Sequence, residues 1–114
     1  MDVDRVRGYC MGLPHSTESV QWGANLVFKV GGKMYAMAEL EAADHWLSFK
    51  CSPEDFAELC ERAGLIPAPY LARAQWVTLE TEDAIPRPEL KHLLRQAYDL
   101  VFARLPKRTQ AGLK

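Results

Sequence analysis

Three histidines, three cysteines and a cluster of acids are the side chains of this chain that could ligate a metal or activate a nucleophile. His15, His45 and His92 stand far apart, in no HxxxH or HExxH spacing, so no two imidazoles are set on one helix face. Cys10, Cys51 and Cys60 are odd in number and form no CxxC pair. That spacing argues against a zinc ribbon, a redox motif or a disulfide scaffold and predicts reduced thiols in a cytosolic protein. Lys50 could activate Cys51 beside it, but strand alternation aims Cys51 into the core, where a thiol is inert. Gly31-Gly32-Lys33 lacks the upstream glycine of a phosphate loop, and a strand rather than a helix follows. Glu54, Asp55, Glu58 and Glu61 read as the solvated face of a helix, with Glu58 and Arg62 an i,i+4 pair. There is no GxSxG elbow. The expectation is binding rather than catalysis, with no metal and no cofactor.

The elements that must position any binding surface fit one domain of 114 residues. The chain is 48% hydrophobic and 25% charged, enough to bury a core without disulfides. The opening MDVDRVRGYC lacks the apolar core of a signal peptide, and the longest apolar runs are only a few residues. Net charge is −1, so phosphate contacts would require segregated basic side chains.

Val3, Val6, Cys10 and Met11 predict a short first helix, stopped by Gly12 and Pro14. A weak strand signal lies at 20–22. LVFKV, Gly31-Gly32 and KMYAMA predict a β-hairpin. HWLSFKC at 45–51 predicts the next strand. Ser52-Pro53-Glu54-Asp55 opens a helix with a capping hydroxyl, proline at the first position and acids in the first turn. Phe56, Leu59, Cys60 and Ala63 form its apolar stripe, and Gly64 ends it. Pro67 and Pro69 hold 65–70 extended, QWVTLE at 75–80 predicts a strand, and Pro88 opens a long last helix that buries Leu90, Leu93, Leu94, Ala97, Val101 and Leu105. Residues 1–106 form the domain and 107–114 a basic, flexible tail. The fold class is α+β, an antiparallel sheet of four or five strands with helices on one face.

Alternation sorts the strands into two faces. Leu26, Phe28, Val30, Met34, Ala36, Ala38, Leu47, Phe49, Cys51, Val77 and Leu79 form the helix-covered set. The other set holds Lys29, Lys33, Tyr35, Trp46, Lys50 and Trp76. Aromatics interleaved with lysines on an open sheet can stack bases and pair phosphates, or anchor a protein partner. The plainer alternative is that the tryptophans cap the apolar rim beneath the 65–74 loop. Lys91, Arg95 and Arg104 read as the solvated side of the last helix.

VFKVGGKMYAM, LSFKCSPEDFAELC, PAPYLARAQWV and LKHLLRQAYDLV, in that order over most of residues 26–101, resemble the MmcQ/YjbR family. The resemblance implies a CyaY-like, or double-wing, fold and a DNA-binding role. The family's recurring positions fall here on Lys33, Lys50, Pro53, Tyr70, Trp76 and Tyr98. Where many members carry a His and a Lys, this chain has Leu-Ala-Arg-Ala-Gln at 71–75, keeping one cation, Arg73. Kinship of fold with frataxins brings in iron binding by an acidic first helix, but residues 2–12 offer only Asp2 and Asp4. The expectation is a cytoplasmic DNA-binding module. Lys29, Lys33, Lys50 and Arg73 would meet phosphates, and Tyr35, Trp46 and Trp76 would stack on bases. The rival is a protein-interaction or homodimerisation module on the same face. A small-molecule binder would need a pocket beside the Pro67–Arg73 loop.

Overall fold

Gly31 and Gly32 take φ of +58° and +80°, the left-handed backbone that a two-residue hairpin turn requires and glycine adopts without steric cost. In the computed structural model, which describes residues 1–41 and 43–113, they join β2 (Asn25–Val30) to β3 (Lys33–Glu39). β1 (Thr17–Gln21) pairs with β2, and β4 (Leu47–Lys50) pairs with β3. β6 (Trp76–Leu79) lies on β4, and β5 (Leu65–Pro67) closes the far edge. All pairings are antiparallel, and the six strands run β1-β2-β3-β4-β6-β5. The two strands beyond the predicted core are the edges. Pro67 can sit in one because an edge strand leaves one row of its N–H groups unpaired.

The predicted N-cap of α2 (Pro53–Leu59) holds, the Ser52 hydroxyl accepting from the Asp55 amide. At the start of α1 (Val3–Met11) Asp2, for which the sequence reading named no cap, accepts from the Arg5 amide. α3 (Arg87–Arg104) lays Leu90, Leu93, Leu94, Ala97, Tyr98 and Val101 onto the sheet. With Val6 and Cys10 of α1 and Leu59 of α2 they build one core against Phe28, Val30, Leu47, Phe49, Val77 and Leu79. The fold is thus α+β, with helices on one face of an antiparallel sheet.

Two boundaries move. α2 stops at Leu59 and Gly64, at φ +83°, turns the chain into β5, so Ala63 is exposed instead of extending the apolar stripe. Arg62 does not serve Glu58. It donates to both carboxylate oxygens of Glu89 at 2.7 and 2.9 Å, tying the end of α2 to the start of α3. The segment expected to fray forms α4 (Lys107–Gly112) instead. Gln110 donates to the Leu105 and Ala103 carbonyls, and Leu113 packs on the core.

The strand alternation breaks once. A two-residue turn sets Val30 opposite Lys33 and Lys29 opposite Met34, yet Phe28 faces Ala36. Tyr35 is therefore the extra residue of a β-bulge. It turns to the helix side, fully buried, with its ring edge-on to Tyr98 at 5.6 Å. Its hydroxyl shares a hydrogen bond with Ser16 and donates to the Cys10 carbonyl. Met34, expected in the core, moves to the opposite side of the sheet.

Candidate ligand groove on the open face

The side of the sheet that no α-helix covers divides into two parts. Over β4 and β6 the segment 68–75 folds back upon the strands. The Ala68 amide donates to the Trp76 carbonyl, the Trp76 amide to the Leu71 carbonyl, and the Cys51 amide to the Gln75 carbonyl. Lys50 donates its Nζ to the Ala74 carbonyl. Lys50 and Trp76 pair across the strands with only 7% and 3% of their surface exposed. Burial pushes the Lys50 ammonium below its ordinary pKa. Beneath this cover the Ser48 and Thr78 hydroxyls share a buried hydrogen bond.

Over β2 and β3 the face is only partly filled, Val27 being fully buried while Met34 and Met37 keep exposed surface, and a groove of about 510 Å³ runs between the sheet and the edge of the 68–75 segment. Met34 and Met37 supply its floor and Ser48 one side. Ala68, Pro69, Tyr70 and Leu71 form one wall. Trp22, from the turn between β1 and β2, and Asn25 complete the lining with Glu39 and His45, whose Oε1 and Nε2 lie 3.6 Å apart. Trp22 is 66% exposed and Tyr70 wholly so. Both hold left-handed backbones, φ +49° and +66°. For residues with a Cβ such a conformation costs about 1 kcal/mol or more each and persists only where neighbouring structure imposes it.

The expected binding set is dispersed. Tyr35 lies in the helix-side core, because the bulge rotates it across the sheet. Trp46 precedes the regular part of β4, packs against the helix-side core and donates its indole N–H to the Thr81 carbonyl at 2.7 Å. Lys33 shares the face of Val30 and lies at the helix-side end of the hairpin, beside Val101, Arg104 and Leu105. Trp76 and Lys50 do occupy the open side but are covered by the 68–75 segment, the plainer reading of that tryptophan. Lys29 remains half-exposed on the open side, and Arg73 is exposed on the covering segment. No shared surface of two indoles and three ammonium groups exists. Lys91 and Arg95 of α3 are engaged within the chain, over the rings of Tyr9 and Tyr98.

Sequence reading missed Trp22, Met34, Glu39 and Tyr70 as groove residues. A signal for Met34 was present. A two-residue turn puts Lys33 on the face of Val30 and Tyr35 on that of Phe28, so an apolar Ala36 and Ala38 on that same face require one extra residue. Cys51 is buried as strand alternation predicts, whereas Cys60 is half-buried at the end of α2. Burial pushes Cys10 and Cys51 up to about 12. Among the described residues no group of three His, Cys, Asp or Glu side chains is placed to hold a metal, and no helix is long and apolar enough to cross a membrane.

A family model described as YjbR matches residues 11–100. Uncharacterized protein YjbR of Escherichia coli strain K12 is 28% identical over 110 residues, covering 93% of this chain and 92% of its own. The crystal structure of Deinococcus radiodurans protein DR2400, with family-model domain DUF419, is 34% identical. It superposes with a TM-score of 0.87 over 98% of this chain and 87% of that one. A Pseudomonas syringae protein of known structure, 18% identical, shares the fold at a TM-score of 0.72, over 88% of this chain and 98% of its own.

Proposed function

The chain belongs to the YjbR family, and from that premise and the geometry of the open face we propose that it is a binding module for a small, largely apolar organic ligand. The observation that carries this reading is the groove itself. Its volume of about 510 Å³ falls within the range of ligand pockets, roughly 300–1,000 Å³, and its lining is mostly apolar with a few polar groups at one end, as such pockets are. Two aromatic side chains with strained backbones stand at its rim. Exposed rings held at such a cost are more economically explained by contact with a ligand than by the stability of the free protein. Binding is favoured over chemistry because the one aliphatic hydroxyl in the lining, that of Ser48, is paired with Thr78 rather than with the lining histidine, His45. A nucleophile needs its base within hydrogen-bond reach. A panel of small aromatic molecules, screened by ligand-detected NMR, tests the reading. Hits should lose binding in Trp22→Ala with the melting temperature unchanged. Hits that bind Trp22→Ala as well as the parent would remove the groove from consideration.

A nucleic-acid role is the second reading. It now rests on Lys29, Lys33 and Arg73, the cations of the expected set that remain accessible. Such contacts predict weak, steeply salt-dependent affinity. Titration of labelled duplex at two salt concentrations checks it, and no shift at the lower salt removes it. Self-association through Trp22 and Tyr70 would show instead as a concentration-dependent size that Trp22→Ala abolishes.

A further inference from the structure

Resting on the ligand-groove reading, we infer that the ligand is a compact organic cation, an ammonium group carrying a carbon framework, whose charge sits at Glu39. The ionisable acid of the groove lining is Glu39, with His45 beside it. Among the described residues no lysine or arginine lines it, and the buried amine of Lys50 is turned to the Ala74 carbonyl. A phosphate or carboxylate entering here would find no lysine or arginine in the lining to pair with and would approach an existing carboxylate, Glu39. An unpaired charge taken out of water in that way is strongly disfavoured.

An ammonium meets the opposite environment. Glu39 reaches His45 at 3.6 Å, longer than the roughly 2.7–2.9 Å of a charge-assisted hydrogen bond, and among the described residues no donor hydrogen-bonds its carboxylate. Its oxygens thus keep acceptor capacity toward the groove. The indole of Trp22 and the phenol of Tyr70 offer ring faces, which attract cations through their quadrupoles. Met34 and Met37 present polarisable thioethers to the ligand's carbon surface. Charge, rings and thioethers thus favour the same ligand class, at one end and along the floor of one groove.

A charge-matched trio of probes tests this: benzylamine, benzyl alcohol and benzoate at neutral pH, each titrated into the labelled protein by NMR. Benzylamine should bind about tenfold more tightly than benzyl alcohol, and benzoate should bind least, as expected for one carboxylate plus cation–π contact. Glu39→Gln should bring the amine and the alcohol within about twofold of each other. Equal binding of amine and alcohol by the parent protein, or an amine preference that survives Glu39→Gln, would overturn the inference and leave the ligand groove standing. Failure of all three probes to perturb any groove residue would overturn both. If Glu39→Gln does not fold, the ranking of the three probes on the parent protein decides the matter alone.

Discussion

The two faces of this sheet are built from the same strands and obey different rules. On the helix side α1, α2, α3 and the strands β2 to β6 contribute apolar side chains to one closed core, in which Phe28, Phe49, Leu90 and Leu94 have no exposed surface. Even its tyrosines are fixed by hydrogen bonds. Tyr35 reaches Ser16 and the Cys10 carbonyl, and Tyr98 donates to the Pro14 carbonyl at 2.6 Å. On the open side a single segment, 68–75, covers one half and leaves the other as a groove with exposed rings. Close packing of the first face resists change, whereas the uncovered half of the second has aromatic surface to offer a ligand. The lesson is that two tryptophans of one fold, Trp22 at 66% exposure and Trp76 at 3%, differ by what covers them.

The largest effect should come from the closed face. Phe49→Ala should cost about 3–5 kcal/mol of stability in urea unfolding, through lost burial and the cavity left behind. Trp76→Ala should cost about 3 kcal/mol or more, although Trp76 lies on the side without helices, because the 68–75 segment makes that half a second core. A loss below about 1 kcal/mol would break the division of the open face into covered and free halves. Gly31→Ala should come next, at about 1–3 kcal/mol in the same assay. A Cβ there would lie 2.5 Å from Leu105 Cδ1 and would be held at φ +58°. Tyr35→Phe should cost about 1–2 kcal/mol by removing the hydroxyl's bonds while keeping the ring.

Tyr35 also sets a pH signature. Burial raises its pKa above the ordinary 10.0, so above pH 10 the unfolded chain releases this proton first and stability falls as pH rises. Cys10 and Cys51, pushed from 9.0 to about 12 by burial, act in the same direction from pH 9 upward. Unfolding followed from pH 8 to 12 should therefore show a decline that is shallower above pH 10 in Tyr35→Phe. The smallest stability effect should be that of Trp22→Ala, within about 0.5 kcal/mol, in contrast to its large effect on binding.

Much of the helix side was legible in the chain, because burial imposes period and composition together. Leu90, Leu93, Leu94, Ala97 and Val101 repeat at helical spacing, and Leu47, Phe49 and Cys51 alternate as a strand must. Caps and the glycine turn added local chemistry that tertiary contacts did not override. The open side was misread for two physical reasons. A bulge exchanges the sides of Met34 and Tyr35, and hydropathy alone does not distinguish a thioether from a phenol as core material. The covering of Trp76 depends on a non-local return of residues 68–75, directed in part by the left-handed Gln75 at φ +56°. Alternation along a strand gives the side on which a residue lies and says nothing of what later passes over it. Tyr70 was legible only as a family position on the Pro67–Arg73 loop, and Trp22 carried no signal of a groove role.

The methionine methyl groups provide the most direct test of the central claim, that the uncovered half of the open face is a ligand site. The chain has four methionines. Met34 and Met37 line the groove, whereas Met11 is on α1 and Met1 packs at the helix-side core. With methyl-labelled protein titrated with benzylamine, the Met34 and Met37 signals should move together along one saturable curve while those of Met1 and Met11 stay still. Movement of Met1 or Met11 with the groove signals unmoved would contradict the account.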